Sequence, residues 1–269
     1  MIEGASRRLF GYNAGLVGQR LDALEKRLAI LEEKSGPLSR QISLLGRILR
    51  DEQLLWLYQN RSERMDASEE IFDETRRAFH LARYEFACDY VAGKDVADIA
   101  CGTGYGSELL RLEGNAKSVI GVDIDQRAIE YAAARHEAEG CEYRCAPGTA
   151  TGLPADSVDV VVSFETLEHV PDDQALIAEF VRILQPAGVL VCSVPNKWPL
   201  EGAPHHVRVY DMTSFRTLLN REFEEVELYN QNSGSDRIYN HGQPAGIIPT
   251  TPQNAELAEC YVAICRRPK

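Results

Sequence analysis

Apolar residues along the chain keep two different rhythms. Near the amino terminus Ala14, Val17, Leu21, Leu24, Leu28 and Leu31 recur every three or four positions, with Arg20, Glu25, Lys26, Arg27, Glu32 and Glu33 between them. That short heptad pattern predicts a helix. Gly36-Pro37 breaks it, and a second amphipathic stretch follows through Leu38, Ile42, Leu45, Leu49 and Trp56 to about Asn60. The polar link RSERMDASEE then leads to a helix from Thr75 that includes FHLARYEFACDYV. Beyond it the rhythm changes to short strand-like runs, most of them largely apolar: Val96 to Ala100, a run ending at Asp123, Cys141 to Ala146, Val158 to Phe164, Val189 to Val194 and Tyr261 to Cys265. Helical patterns such as Gln126 to Glu137 separate them. Largely apolar strands joined by crossover helices predict a doubly wound α/β sheet covered on both faces. The expected division is a helical extension over residues 1–74 and an α/β domain over 75–269.

The segment VADIACGTGYGSELLRLEGNAKSVIGVDID carries the first chemistry. A buried strand runs into Gly102, Gly104 and Gly106, whose bare backbone turns tightly and lets a ligand approach, and Ser107 is placed to cap the next helix. Asp123 ends the second strand about 20 residues past the glycines, where a carboxylate accepts hydrogen bonds from both ribose hydroxyls of an adenosine. Dinucleotide enzymes space their glycines differently, to bring a helix N-terminus onto a pyrophosphate. Here Asp98 sits in the approach, where an acid repels a pyrophosphate and suits an ammonium group.

These residues resemble the class I S-adenosylmethionine (SAM) dependent methyltransferases, whose first motif, acid-x-x-x-Gly-x-Gly, is met by Asp98, Gly102 and Gly104. The resemblance covers most of Phe79 to Arg267 and implies a Rossmann-like sheet of seven strands. It implies SAM as cofactor, held by Asp98, Gly102, Gly104, Asp123, Ile124, Thr149, Ala150 and Glu165. Many relatives carry an acid where Thr149 stands, so a hydroxyl or the backbone near Ala150 takes the adenine contact here. In resembling enzymes the helix bearing His80, Arg83 and Tyr84 closes over the methionine end of the cofactor, which implies Arg83 or Tyr84 as a partner for its carboxylate, with a structural ion pair as the alternative for Arg83.

The fourth strand delivers FETLEHVPDD to its carboxyl end, and the fifth delivers PNKWPLEGAPHHVRVYDMTSF. Glu165, Glu168 and His169 stand at i, i+3 and i+4, a helical spacing that puts two carboxylates and an imidazole on one side. The order Glu-x-x-Glu-His, Pro-Asn, then His206 resembles the metal-dependent branch of the family, which includes ubiquinone-pathway O-methyltransferases and small-RNA terminal 2′-O-methyltransferases. That resemblance implies Mg²⁺ or Mn²⁺ on Glu165, Glu168, His169 and His206, with positions left for two substrate oxygens. An aliphatic hydroxyl is almost un-ionised at neutral pH, so a bound ion or a general base is useful to the transfer. The catalytic candidates are His169, His206 and Glu165. The bland alternative makes Glu165 a pocket wall and Glu168-His169 a brace for the turn.

Composition narrows the acceptor. Of 29 basic and 41 acidic side chains, residues 1–77 hold 13 of each, so the whole net charge of −12 lies in the later part. A surface that grips a phosphodiester backbone needs basic residues, so a nucleic-acid substrate is disfavoured. The motifs SFETLEHV and PN…HHVRVYDMTSF also resemble methyltransferases of bacterial surface polysaccharide synthesis, which implies O-methylation of a saccharide hydroxyl. The alternatives are a small phenolic or quinone-like acceptor, or a catalytically silent SAM-binding scaffold. Seven scattered cysteines read as free thiols, mostly buried, rather than a zinc site or disulfide framework. No run is apolar enough to span a membrane and MIEGASRRLF lacks a secretory core, so the cytoplasm is expected. The amino-terminal helices are expected to form a homo-oligomer seam, with a local hairpin or a partner-docking surface as alternatives. Asp236, Arg237, Tyr239 and His241, in the polar segment Gln231 to Glu259, are candidates to roof the acceptor site.

Overall fold

The computed structural model describes residues 23, 26, 36–62, 64–203, 205–234 and 243–269. The heptad over Ala14 to Leu31, and the roof candidates Asp236, Arg237, Tyr239 and His241, lie outside the described residues, as does the seam expected of the former. The chain divides into two compact units, Met1–Glu63 and Arg64–Lys269.

The smaller unit holds α1 (Gly36–Arg50) and α2 (Glu52–Gln59). The single amphipathic stretch expected from Leu38 to Asn60 is two helices, because the Asp51 carboxylate turns back to accept from the amides of Gln53 and Leu54 and caps α2. The buried stripe also differs from the expected one. Ile48, Leu54 and Leu57 are enclosed, whereas Leu45 and Leu49 remain 45% and 56% exposed. Leu44 and Ile48 form an i, i+4 pair beside that of Leu45 and Leu49, and two such pairs one residue apart leave the face ambiguous in sequence.

The larger unit follows the doubly wound plan. Helix α3 (Glu74–Val91) starts on Asp73, whose side chain accepts from the Arg76 amide. Strands β1 (Asp95–Ile99), β2 (Ser118–Asp123), β3 (Cys141–Cys145), β4 (Val158–Phe164) and β5 (Leu184–Pro195) are parallel, with α4 (Tyr105–Leu112), α5 (Gln126–Arg135) and α6 (Asp173–Ile183) as crossovers. Helix α7 (Met212–Glu222) leads to β6 (Phe223–Asn232), then come β7 (Gly246–Pro249) and β8 (Cys260–Pro268). The sheet order is β3-β2-β1-β4-β5-β8-β6-β7, with β8 antiparallel to both β5 and β6. The seven expected strands are joined by an eighth: β7, within the polar segment after Asn232, pairs antiparallel with β6 through Tyr229↔Pro249 and Asn230↔Ile248. Alternate β1 residues face opposite cores. Val96 packs with Tyr84, Ala87 and Leu110 on one face, while Ala97 and Ile99 pack with Leu176, Phe180 and Phe215 on the other.

Strand order reverses between β1 and β4, both paired with parallel neighbours. In open sheets of this kind the ligand crevice lies beyond the carboxyl ends of the strands at that reversal.

Candidate functional site

Two non-glycine residues at the reversal have left-handed backbone, Ala100 after β1 (φ 63°) and Glu165 after β4 (φ 50°). Such conformations cost about 1–3 kcal/mol each and cluster at functional sites. After Ala100, Gly102 (φ 57°) and Gly104 (φ 87°) carry the turn, and Gly104 starts α4. Ser107 therefore does not cap that helix. It lies inside the first turn, and its hydroxyl donates to Asp98 Oδ2 at 2.6 Å. The third glycine answers a packing need, since a Cβ on Gly106 would stand 1.9 Å from the Tyr84 ring.

Asp98 is fully enclosed beneath the turn, with the Tyr84 hydroxyl 3.4 Å from each of its oxygens. Its carboxylate thus lies below the cleft rather than on its surface. Burial, assisted by the charge of Asp123, pushes its pKa up to about 7 despite the opposing bonds from Ser107 and Tyr84. Asp123 at the end of β2 is 3% exposed. Its Oδ2 accepts from the Gly102 amide at 3.0 Å and its Oδ1 from the Asp125 amide at 2.9 Å, so turn and carboxylate are locked together. A Cβ on Gly102 would meet nothing within 4 Å, which leaves open space before the turn. That opening, the nearby carboxylate and the exposed Ile124 side chain (70%) fit a nucleoside. Thr149 and Ala150 lie in the turn after β3, closed by the Ala150 amide on the Pro147 carbonyl. Their hydroxyl and backbone are at the same sheet edge as Asp123, and Thr151 beyond them is committed to Glu179.

On the other side of the crevice Arg83 is 2% exposed. Its Nη1 donates to Gln231 Oε1 at 3.1 Å and lies 4.0 Å from Glu165 Oε1, and its Nη2 meets His80 Nδ1 at 3.0 Å. Nε has no hydrogen-bond partner among the described residues. Burial and the Arg83 charge hold the His80 pKa well below its usual value, so the ring is neutral and accepts. Glu165 accepts from the Ser193 hydroxyl at 2.8 Å.

The metal candidates separate. Residues 166–169 form a turn, closed by the His169 amide on the Thr166 carbonyl, rather than a helix. Glu165 is consequently turned toward Ser193 and Arg83, while Glu168, His169 and His206 offer ligand atoms within 4.8 Å of one another. The four-residue set expected from the sequence is a group of three with Glu165 beside it. The imidazoles of His169 and His206 stand edge to face, centroids 4.7 Å apart, and His169 Nε2 is 3.9 Å from Glu168 Oε1. Glu168 is 1% exposed, yet neither carboxylate oxygen has a hydrogen-bond partner among the described residues. Burial and the charge of Glu165 raise its pKa well above the carboxylate range.

Sequence reasoning missed what holds this group together. The Val207 amide donates to the Glu168 carbonyl at 2.8 Å. The Arg208 guanidinium reaches back to the carbonyls of Leu167 (2.9 Å), Val170 (2.6 Å) and Pro171 (2.6 Å), and pairs with Asp173 at 3.3 Å. One side chain thereby ties the β5–α7 connection to the turn after β4. The available signal was the two-residue spacing of His206 and Arg208, which in extended chain sends both to one side.

Comparison with known proteins agrees with this geometry. Residues 97–192 match the family model described as a methyltransferase domain. Over that segment the chain is similar to SAM-dependent methyltransferases. A probable S-adenosylmethionine-dependent methyltransferase of Mycolicibacterium smegmatis is 33% identical over 156 residues, 55% of this chain and 58% of that protein. A phthiotriol/phenolphthiotriol dimycocerosates methyltransferase of Mycobacterium tuberculosis is 34% identical over 137 residues, 49% of each. The chain thus spans about half the length of these curated relatives. Among solved structures, a chain of the complex between the Haloferax volcanii Trm112 methyltransferase activator and a methyltransferase has TM-score 0.58 at 18% identity, covering 72% of this chain and 93% of that one. The N-methyltransferase NodS of Bradyrhizobium japonicum, solved with S-adenosyl-L-homocysteine, has TM-score 0.54 at 20% identity, covering 73% and 89%. Both show the fold of the methyltransferase domain. No helix among the described residues is long and apolar enough to cross a membrane.

Proposed function

We propose that the protein transfers the methyl group of SAM to a hydroxyl of a saccharide acceptor. The observation that carries the reading is the buried, unpartnered carboxylate of Glu168 beside the two imidazoles of His169 and His206. A carboxylate left so costs free energy unless something else meets it. A bound divalent ion fits that place. One carboxylate and two imidazoles suit Mn²⁺ or a similar borderline ion better than Mg²⁺, which prefers oxygen ligands. When bound, the ion would supply Lewis acidity that lowers the pKa of a coordinated hydroxyl, and adjacent sugar hydroxyls are suited to chelation.

The chain's own residues account for the rest. Asp123 holds the ribose, and Asp98 provides negative charge for the methionine ammonium. Arg83 meets the methionine carboxylate, with Glu165 as its counter-charge. Together they present the sulfonium methyl toward Glu168 and the histidines, so that transfer is an in-line displacement governed by positioning. The acceptor oxygen forms its bond to the methyl carbon as the carbon–sulfur bond breaks. The hydroxyl proton passes to solvent where the imidazoles hold an ion, or to His169 or His206 where they do not, and S-adenosylhomocysteine leaves.

A second reading follows from the β5–α7 connection, where Trp198 (38%), Leu200 (41%), Val207 (50%) and Val209 (44%) are exposed close in sequence to His206. Such a rim favours an acceptor with an apolar body, a class that includes phenolic or quinone-like metabolites and hydroxylated lipids like the one named for the mycobacterial relative. Labelled SAM offered with saccharide, phenolic and lipid hydroxyl acceptors separates the two. Label in the lipid or phenol alone discards the saccharide. Chelator treatment is expected to abolish turnover with SAM affinity retained, and Mn²⁺ to restore it. Full turnover in metal-free enzyme removes the ion and leaves His169 or His206 as general base, a role that His206→Ala then tests. Absence of transfer to any acceptor despite SAM binding would favour the silent scaffold.

A further inference from the structure

The cofactor crevice has a wall that no motif announces. Residues Arg64 to Asp73, the first seven of which belong to the polar link RSERMDASEE, run across the glycine turn. The Thr103 hydroxyl donates to the Met65 carbonyl, and Met65, Asp66 and Ala67 are buried. Arg64 places Nη1 at 3.5 Å from Asp123 Oδ2 and Nη2 at 3.2 Å from Asp125 Oδ2. The strap therefore ends on the carboxylate assigned to the ribose.

One buried cluster fastens it. Asp66 Oδ1 accepts from the amide (2.9 Å) and hydroxyl (2.6 Å) of Ser68. Its Oδ2 accepts from the Tyr131 hydroxyl at 2.8 Å and stands 2.9 Å from His136 Nε2. On the far side of the ring, His136 Nδ1 is 2.7 Å from Glu108 Oε2. Ionised carboxylates only accept hydrogen bonds, so a ring with a carboxylate at each nitrogen satisfies both only when both nitrogens carry protons.

We propose that His136 is a positioning residue for the cofactor: as an imidazolium between Asp66 and Glu108 it latches the strap over the glycine turn, and loss of that proton opens the crevice and speeds cofactor release. The proposal rests on the SAM site described above. His136 is 3% exposed and lies near the end of α5. The groups that face it are Asp66 from the strap, Glu108 from α4, Tyr131 from α5, and Tyr143 from β3, whose hydroxyl donates to the His136 carbonyl at 2.9 Å. Arg135 lies against Tyr131 on the outer side, and Glu69 is buried on the strap.

Burial lowers the His136 pKa, but the bonds and charges of Asp66 and Glu108 outweigh it, leaving a net rise. For Asp66 burial acts upward and His136 and Ser68 act downward, leaving a net fall. A histidine raised in the folded state keeps its stabilisation below its unfolded value, about 6.5, and loses it as pH rises through the folded value. The latch is therefore closed on the acid side and opens as pH rises through the folded value of His136. Asp98 acts with the opposite sign, since protonation below its value of about 7 weakens cofactor binding on the acid side. The direction of the pH dependence tells the two groups apart.

The test is the dissociation rate of S-adenosylhomocysteine from the full chain between pH 6 and 9, paired with NMR of ring-labelled histidine. Release is expected to quicken as pH falls through the Asp98 range and, separately, to be at least tenfold faster by pH 9 than at its minimum, with the His136 signals titrating together with the alkaline rise. His136→Gln and Asp66→Asn should release fast at every pH without the alkaline rise. The wild-type rate profile and the His136 titration decide the matter alone if a variant does not fold. A flat profile with tight binding, or a neutral His136 ring at pH 6.5, overturns the latch and leaves the SAM site standing. Absence of binding at any pH overturns the site and the latch together.

Discussion

Replacing Glu168 with Met should stabilise the metal-free protein while removing its function. The carboxylate is 1% exposed and has no hydrogen-bond donor within reach among the described residues. Burial and the neighbouring Glu165 hold it well above the carboxylate range, so the metal-free protein carries it as a neutral acid with unmet hydrogen-bonding capacity. Leaving such a buried polar group unmet costs about 1–3 kcal/mol, which an apolar side chain of similar volume largely recovers. For a unit of roughly 200 residues each kcal/mol moves Tm by about 2–4 °C, so the variant should melt roughly 2–10 °C higher. Calorimetry on chelator-treated protein measures this. Addition of Mn²⁺ at a hundredfold over its Kd should then raise the wild type by about 2.7 kcal/mol through mass action and leave the variant unmoved. A lower Tm for metal-free Glu168→Met would refute the reasoning, since it would show that the carboxylate is already satisfied and serves to brace the turn.

Asp123→Ala removes the acceptor proposed for two ribose hydroxyls, each bond to a charged group being worth about 1.5–3 kcal/mol, and SAM affinity should fall at least tenfold. Titration calorimetry giving wild-type affinity would displace the ribose from Asp123. SAM affinity should weaken as pH falls below about 7, because Asp98 becomes neutral there and ceases to attract the ammonium. Calorimetry in buffers of different ionisation enthalpy should show a proton released on binding near pH 6, and no linked proton would remove Asp98 from that role. Arg208→Ala frees three carbonyls and the segment that carries His206. Turnover should fall at least tenfold with SAM affinity unchanged, whereas equal loss of both would mean that Arg208 supports the whole sheet edge.

What was legible in the sequence had local causes. The glycine turn and Asp123 belong to one strand-turn-helix-strand unit, where spacing alone fixes geometry. The buried strands were legible because both faces are covered and few polar residues interrupt them. The misplacements share another origin. Ser107 looks like a cap until the left-handed Gly104 starts the helix three residues earlier. Glu165 joins Glu168 and His169 only if residues 165–169 are helical, and the left-handed backbone at Glu165 sends its side chain elsewhere. The strap was invisible because its partners are distant in sequence. Asp66 finds His136 seventy residues later and Thr103 meets Met65 across thirty-eight. Within RSERMDASEE, Arg64 and Asp66 meet the buried Asp123 and His136, and composition does not separate that from a solvated linker.

The two halves of the crevice are finished differently, and the difference bears on mechanism. At the half proposed for the cofactor Asp123 meets the Gly102 amide and Asp98 meets the Ser107 hydroxyl at hydrogen-bond distance, so the turn is braced before a nucleoside arrives. At the half proposed for the acceptor, Arg208 and the Val207 amide grip backbone carbonyls around Glu168, while its carboxylate has no hydrogen-bond partner among the described residues. Fixed polar groups that await a partner in a water-poor place are what electrostatic preorganisation requires, because no rearrangement is then needed as charge develops. Folding alone would favour an apolar residue at position 168. The energy stored there is stabilisation that a bound ion or an acceptor can recover, which ties the cost of the fold at this point to the chemistry proposed for it.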